Sequence, residues 1–157
     1  MKTADLVEAH EEAVQFCDLA FLKLGTRKAF CGPIATVKCF EDNALLKAEL
    51  QKPGGGRVMV VDGGASSRVA LLGDQIATIL QDNGWAGIVI NGAVRDSAEI
   101  NAMDVAVFCL ATTPKKSVKD GAGRAGVPVQ FGGVTFVPGA YLYADADGVL
   151  ISAGDLR

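Results

Sequence analysis

Apolar residues recur at helical spacing from residue 3 to about residue 24, where Leu6, Val7, Ala13, Val14, Phe16 and Cys17 alternate with polar positions. This spacing predicts a helix with Thr3 as its N-cap and Gly25 as its stop. The period then changes. Residues 33–40, with Ile34, Val37, Cys39 and Phe40, predict a strand; Asp42 begins a short helix over 43–50, and Pro53-Gly54-Gly55-Gly56 makes a turn. Residues 57–61 and 87–91 are short, nearly continuous apolar runs, the pattern of strands covered on both faces. Between them lies a helical stretch with Val69, Leu72, Ile76, Ile79 and Leu80 on one face, and Gly84 suits the position after its end. Residues 97–102 predict one short helical turn, 104–110 another strand, and 115–124 a polar loop rich in Lys and Gly. The last third reads as short strands at 127–131, 133–137, 141–144 and 149–152, separated by Gly, Pro and Asp.

Together these elements predict one α/β domain over residues 1–157, with a layered sheet and no linker, repeat or low-complexity segment. Half of the residues are apolar and only 6% aromatic, so the core is aliphatic. The net charge of −3 argues against binding nucleic acid directly, which needs a basic surface. No apolar run approaches the roughly 20 residues that span a bilayer. The charged N-terminus has no signal-peptide core, so a cytoplasmic protein is expected. Cys17, Cys31, Cys39 and Cys109 form no C-x-x-C pair and are expected to be buried small hydrophobes. The one histidine, His10, stands among Glu8, Glu11 and Glu12 on what reads as a solvated helix face, a poor setting for a histidine-centred mechanism.

Two polar constellations stand where elements meet. One is Gly73-Asp74-Gln75-Ile76; the other is Gly92-Ala93-Val94-Arg95-Asp96-Ser97-Ala98-Glu99, directly after a buried strand. Ligands of open α/β sheets gather beyond the carboxyl ends of strands. Arg95 can clamp a carboxylate with two parallel bonds. Asp96 could hold a hard divalent cation with Glu99 behind it, since Mg²⁺ often takes one or two protein carboxylates plus waters. Equally, Arg95 and Asp96 could be a surface pair closing a turn, and Asp74 an acid favoured by a helix N-terminus. Asp62-Gly63-Gly64 follows a strand but lacks the G-x-G-x-x-G spacing of a nucleotide loop. A Schiff-base mechanism would need a buried lysine, for which Lys38 is the one lysine inside a predicted strand.

The blocks 34–43 (IATVKCFEDN), 57–64 (RVMVVDGG), 82–87 (DNGWAG) and 91–96 (NGAVRD) resemble the RraA-like family, as do 131–139 (FGGVTFVPG) and 142–149 (LYADADGV). The family includes regulators of ribonuclease E activity and 4-hydroxy-4-methyl-2-oxoglutarate aldolases, and its members have often been labelled demethylmenaquinone methyltransferases. The resemblance covers nearly the whole chain. It implies a ββα-sandwich of the swivelling-domain type, assembled as a homotrimer or a hexamer.

For activity the resemblance implies a lyase that uses Mg²⁺ or Mn²⁺. Such an enzyme cleaves 4-hydroxy-4-methyl-2-oxoglutarate to pyruvate and decarboxylates oxaloacetate through a pyruvate enolate. Carried onto this sequence, the family pattern makes Asp74 and Arg95 catalytic. Gln75, Ile76 and Arg95 bind the 2-oxo acid substrate, and Asp96 and Glu99 serve the metal. The acid that removes the aldol hydroxyl proton is expected from a neighbouring subunit. The alternative implied by the same resemblance is a non-catalytic regulator that binds ribonuclease E.

Overall fold

A computed structural model describes residues 1–157. Its helices are α1 (Thr3–Ala9), α2 (Ala44–Leu50), α3 (Asp74–Asp82) and α4 (Ser97–Asn101). The strands up to the middle of the chain are β1 (Val14–Phe16), β2 (Leu22–Leu24), β3 (Phe30–Lys38), β4 (Val58–Asp62), β5 (Ala70–Leu72), β6 (Gly87–Asn91) and β7 (Ala93–Val94). Beyond it come β8 (Val107–Cys109), β9 (Ala111–Thr112), β10 (Arg124–Ala125), β11 (Val129–Phe131), β12 (Val134–Phe136), β13 (Tyr141–Asp145) and β14 (Gly148–Ser152).

At the centre of a nine-stranded sheet, β3, β4, β6 and β8 lie side by side and parallel. Their side chains alternate between two cores, as the period of two along a strand requires. Met59, Val61, Ile88, Ile90, Val107 and Cys109 join Leu46 and Leu50 of α2 and Ile76 and Leu80 of α3. Val58, Val60, Val89 and Phe108 join Phe131 and Phe136 of the β11–β12 hairpin. This is why 57–61 and 87–91 read as continuous apolar runs: both faces are covered. Burying one such side chain contributes about 1.5–3 kcal/mol relative to leaving it exposed. Antiparallel strands β13, β14 and β1 extend one side of the sheet and β2 the other. Leu142, Ala144, Val149 and Ile151 share the hairpin's core, so the sheet curls around the hairpin.

Beside this sheet stands a smaller parallel one of three strands, in the order β5-β7-β9. Two of its strands continue central ones directly. One residue, Gly92, separates β6 from β7, and one, Leu110, separates β8 from β9. The switch is held by Leu110 N–H donating to Gly92 O at 2.9 Å and Gly63 N–H donating to Asn91 O at 3.0 Å. Three chains therefore leave the small sheet side by side, at one end, with their polar residues next in sequence.

Three sequence expectations are corrected. The predicted helix over 3–24 is only seven residues long; the rest contains β1 and β2. Val14, Gln15 and Phe16 pair with Ser152, Ile151 and Leu150, an edge offered by the far end of the chain. Thr3 is not the N-cap, which is Lys2; its N–H and hydroxyl both donate to the Asp145 carboxylate at 2.7 Å. Residues 70–72 are strand rather than helix, because β7 and Lys115 take up their backbone groups. The helices over 44–50 and 97–101 and the four late strands stand close to where the pattern puts them. Gly84, with φ +75°, takes the predicted left-handed position after α3.

Candidate active site

The small sheet sets two sequence-distant turns against each other. Leu72 pairs with Val94 and Val94 with Thr112, so Gly73, Arg95 and Thr113 follow in register. Arg95 N–H donates to Leu72 O and Thr113 N–H to Val94 O, each at 2.9 Å. After β7 the chain must turn at once into α4, and Asp96 makes that turn with φ +58°. Left-handed backbone disfavours most side chains, and Asp is among the few that adopt it readily.

This conformation sends the Asp96 carboxylate to the start of α3, where Oδ2 accepts the Asp74 N–H at 3.0 Å. The other oxygen, Oδ1, has no protein donor. Gly73 is needed for so close an approach. A Cβ there would lie 2.6 Å from Asp96 Oδ2 and 3.4 Å from both Cγ and Nε of Arg95. The N–H groups of Gln75 and Ile76, in the first turn of the nine-residue α3, have no protein acceptor. Arg95 forms no ion pair with Asp96 or any other acid in the chain.

Beside Arg95 and Asp96 lies a cavity of about 330 Å³ lined by these two residues with Ser97, Thr112, Thr113 and Pro114; Asp74, Gln75 and Ile76 are not part of its wall. No large apolar side chain lines it, which suits a small, strongly polar ligand. A larger depression of about 640 Å³, near Gln15 and Thr135, holds one carboxylate, Glu12, and no cationic side chain. The structure thus brings Asp74, Gln75, Ile76, Arg95 and Asp96 together. Glu99 stands on the exposed side of α4, three residues on. Nowhere in the chain do three or more His, Cys, Asp or Glu side chains form a group that could hold a metal ion. A closed structural metal site is not built here, and a cation beside Asp96 would have at most Asp96 and Glu99 as carboxylate partners and would keep most of its waters, as Mg²⁺ often does.

Ser97 belongs to the polar constellation after β6 but carries no assigned role there, and Thr112, Thr113 and Pro114 of the cavity wall are not among the candidates the sequence offers. The polar Thr112-Thr113-Pro114 run directly after a buried strand was the available signal. Lys38 is exposed at the end of β3, not a buried amine. Cys17, Cys39 and Cys109 are buried as expected, whereas Cys31 is half-buried and accepts a 3.4 Å contact from Arg157. Burial, with Asp42 and Asp62 adding to it, pushes the Cys39 thiol up to about 12; burial also pushes Cys109 up to about 11. Neither is a thiolate near neutral pH. His10 ends α1, away from the cavity.

The sequence profile of the RraA-like family, described as Aldolase/RraA, matches residues 3–151. A protein of Aromatoleum aromaticum, named as a candidate 4-hydroxy-4-methyl-2-oxoglutarate aldolase, is 50% identical over 155 residues, covering 99% of this chain and 98% of its own. A crystal structure from Geobacillus kaustophilus, named for an S-adenosylmethionine:2-dimethylmenaquinone methyltransferase, superposes with a TM-score of 0.96 at 51% identity, over 99% of this chain and 97% of that one. The RNA-processing inhibitor RraA from Thermus thermophilus also superposes with a TM-score of 0.96, at 41% identity, over 100% and 95%.

Proposed function

This chain belongs to the RraA-like family, and from that premise we propose that it is a divalent-metal-dependent lyase acting on small 2-oxo acids. It cleaves 4-hydroxy-4-methyl-2-oxoglutarate to pyruvate and decarboxylates oxaloacetate. The observation that carries the reading is the seating of Arg95 and Asp96 against the open first turn of α3, beside a cavity lined by polar groups. The 50% identity to the candidate aldolase supports it.

Both reactions break a carbon–carbon bond beside a 2-oxo acid and leave pyruvate enolate. Asp96, through its free Oδ1, would hold Mg²⁺ or Mn²⁺ with Glu99 behind it, and such an ion supplies positive charge where the enolate oxygen develops. The N–H groups of Gln75 and Ile76 receive a substrate carboxylate, as helix N-termini receive anions. Arg95 binds substrate oxygens through its forked donors and fixes their orientation. Asp74 positions the water that delivers a proton to the enolate carbon. The acid that removes the aldol hydroxyl proton comes from a neighbouring subunit of a homotrimer or hexamer. Phe40 and Val118, 63% and 57% exposed, support such an assembly, since their two segments are paired through the Val118 N–H to Glu41 O bond. No helix is long and apolar enough to cross a membrane, and we place the enzyme in the cytoplasm.

The test is pyruvate release from oxaloacetate with and without added Mg²⁺ or Mn²⁺. Release should depend on the ion, and Asp96→Asn should abolish both the dependence and the activity. Activity that persists in chelator, with a borohydride-trapped lysine adduct, would instead mean Schiff-base chemistry.

A second reading, regulation of ribonuclease E by direct binding, is favoured by the 41% identity to an RNA-processing inhibitor. It needs no cation, so inhibition of the nuclease by the Arg95→Ala variant separates the two. Methyl transfer is not part of the proposal. The loop after β4 has no G-x-G-x-x-G, and Oδ1 of Asp62 accepts Gly64 N–H at 2.9 Å and Asn91 Nδ2 at 3.1 Å.

A further inference from the structure

The segment 113–122 crosses the small sheet like a strap. It begins at the cavity, where Thr113 and Pro114 form part of the wall. By Lys115 it has reached the far edge of the sheet, where Lys115 O accepts Ala70 N–H at 2.7 Å and Ser117 Oγ donates to Ala70 O at 2.7 Å. It ends on Asp42. Asp42 is 2% exposed, and its carboxylate accepts N–H groups from Asp120 at 3.1 Å, Gly121 at 3.2 Å and Ala122 at 3.1 Å, besides Ala44, the first residue of α2, at 3.1 Å. No cation pairs with it.

An ionised carboxylate is acceptor-only, the one side-chain group that can face four N–H donors without presenting a donor of its own. Burial pushes the Asp42 carboxyl up, but these four bonds more than offset that and hold it below the usual carboxylate range. The same turn also reaches the other side of the site, because Asn43 Nδ2 donates to Leu71 O at 3.1 Å, two residues before Gly73. The turn itself carries backbone strain at Glu41, whose φ is +58°. One strained, fully bonded turn thus ties the strap to β5.

We propose that Asp42 is a positioning residue of the site: it fixes the strap so that Thr112, Thr113 and Pro114 form the cavity wall beside Arg95 and Asp96, and so sets the affinity for the substrate. The affinity part rests on the 2-oxo acid reading above; the tether does not.

The test compares wild type with Asp42→Asn, which turns donors toward the strap, and Ala122→Pro, which removes one of the N–H donors to Asp42 and keeps the carboxylate itself. Hydrogen exchange at Thr113, whose amide bonds Val94 at the cavity rim, should accelerate about tenfold or more, while Val60 and Val89 in the core keep their protection. KM for oxaloacetate should rise about fivefold with kcat within about twofold. Opening confined to residues 120–122, with Thr113 exchange and KM at wild-type values, would reduce Asp42 to a local loop anchor and overturn the proposal. Should Asp42→Asn lose core protection, the Ala122→Pro variant decides. If wild type turns over no 2-oxo acid, the reaction and the affinity claim fail together, and Thr113 exchange alone decides the tether.

Discussion

The strands β6 and β7 are separated by the single residue Gly92, yet they do different work. All five residues of β6 are buried, and Ile88, Val89 and Ile90 alternate between two cores. In β7 only two residues pair with neighbours before the chain turns at Arg95 and Asp96. The long strand has all its side chains committed to burial and leaves none for chemistry. The short one leaves its next residues at the end of a sheet, where β5 and β9 deliver theirs as well. Stability and chemistry are therefore carried by adjacent but distinct segments, and variants should separate them.

The largest effect is expected in the scaffold. Ile88→Ala removes a fully buried side chain and should cost about 2–5 kcal/mol in urea unfolding. The turnover of the molecules that remain folded should stay within about twofold of wild type. A collapse of kcat at unchanged stability would mean that the two regions are not separable.

Next comes the reverse case. Arg95→Ala should lose about a hundredfold in rate, equivalent to about 3 kcal/mol, with melting temperature and oligomeric state unchanged. Arg95→Lys should be nearly as damaging, because an ammonium cannot make two parallel bonds. Turnover of the lysine variant within about threefold of wild type would move Arg95 from the chemistry to the structure of the turn.

A smaller effect should come from Gly73→Ala. Its Cβ would meet Asp96 Oδ2 at 2.6 Å, so the carboxylate must move off the start of α3. A loss of about tenfold in kcat/KM, with a raised Mg²⁺ requirement, is expected. Wild-type metal dependence in this variant would show that the placement of Asp96 is not critical.

The smallest effect concerns the chain's N-terminal end. Burial pushes the Asp145 carboxyl up, but the bonds from Thr3, Asp147 and Gly148 more than offset this and leave it below its ordinary value. Its contribution to stability is therefore complete above the ordinary carboxylate range, near pH 4, and is lost as pH falls through the lower folded value. Thr3→Val should flatten that part of the pH–stability curve without altering kcat at neutral pH.

The sequence by itself determined the elements whose pattern is complete within a few residues. The runs at 57–61 and 87–91 are apolar on both faces, and no solvent-facing element can carry them, so their place in the core is legible without partners. The glycine-anchored blocks made the family readable, and the fold sets Arg95 and Asp96 against the first turn of α3, which holds Asp74, Gln75 and Ile76, while Glu99 is exposed on α4. Only the tertiary structure decided the segments whose backbone partners lie far along the chain. Val14–Phe16 has helical spacing but pairs with β14. Val69 and Leu72 fit a helical face, yet Ala70–Leu72 is claimed by β7 and the strap. Asp42 reads locally as a helix-start acid, and its bonds to residues 120–122 appear only after folding. In each case a hydrogen-bond partner supplied from a distance outweighs a local preference worth a few tenths of a kcal/mol per residue, because a buried backbone or carboxylate group left unpaired costs about 1–3 kcal/mol.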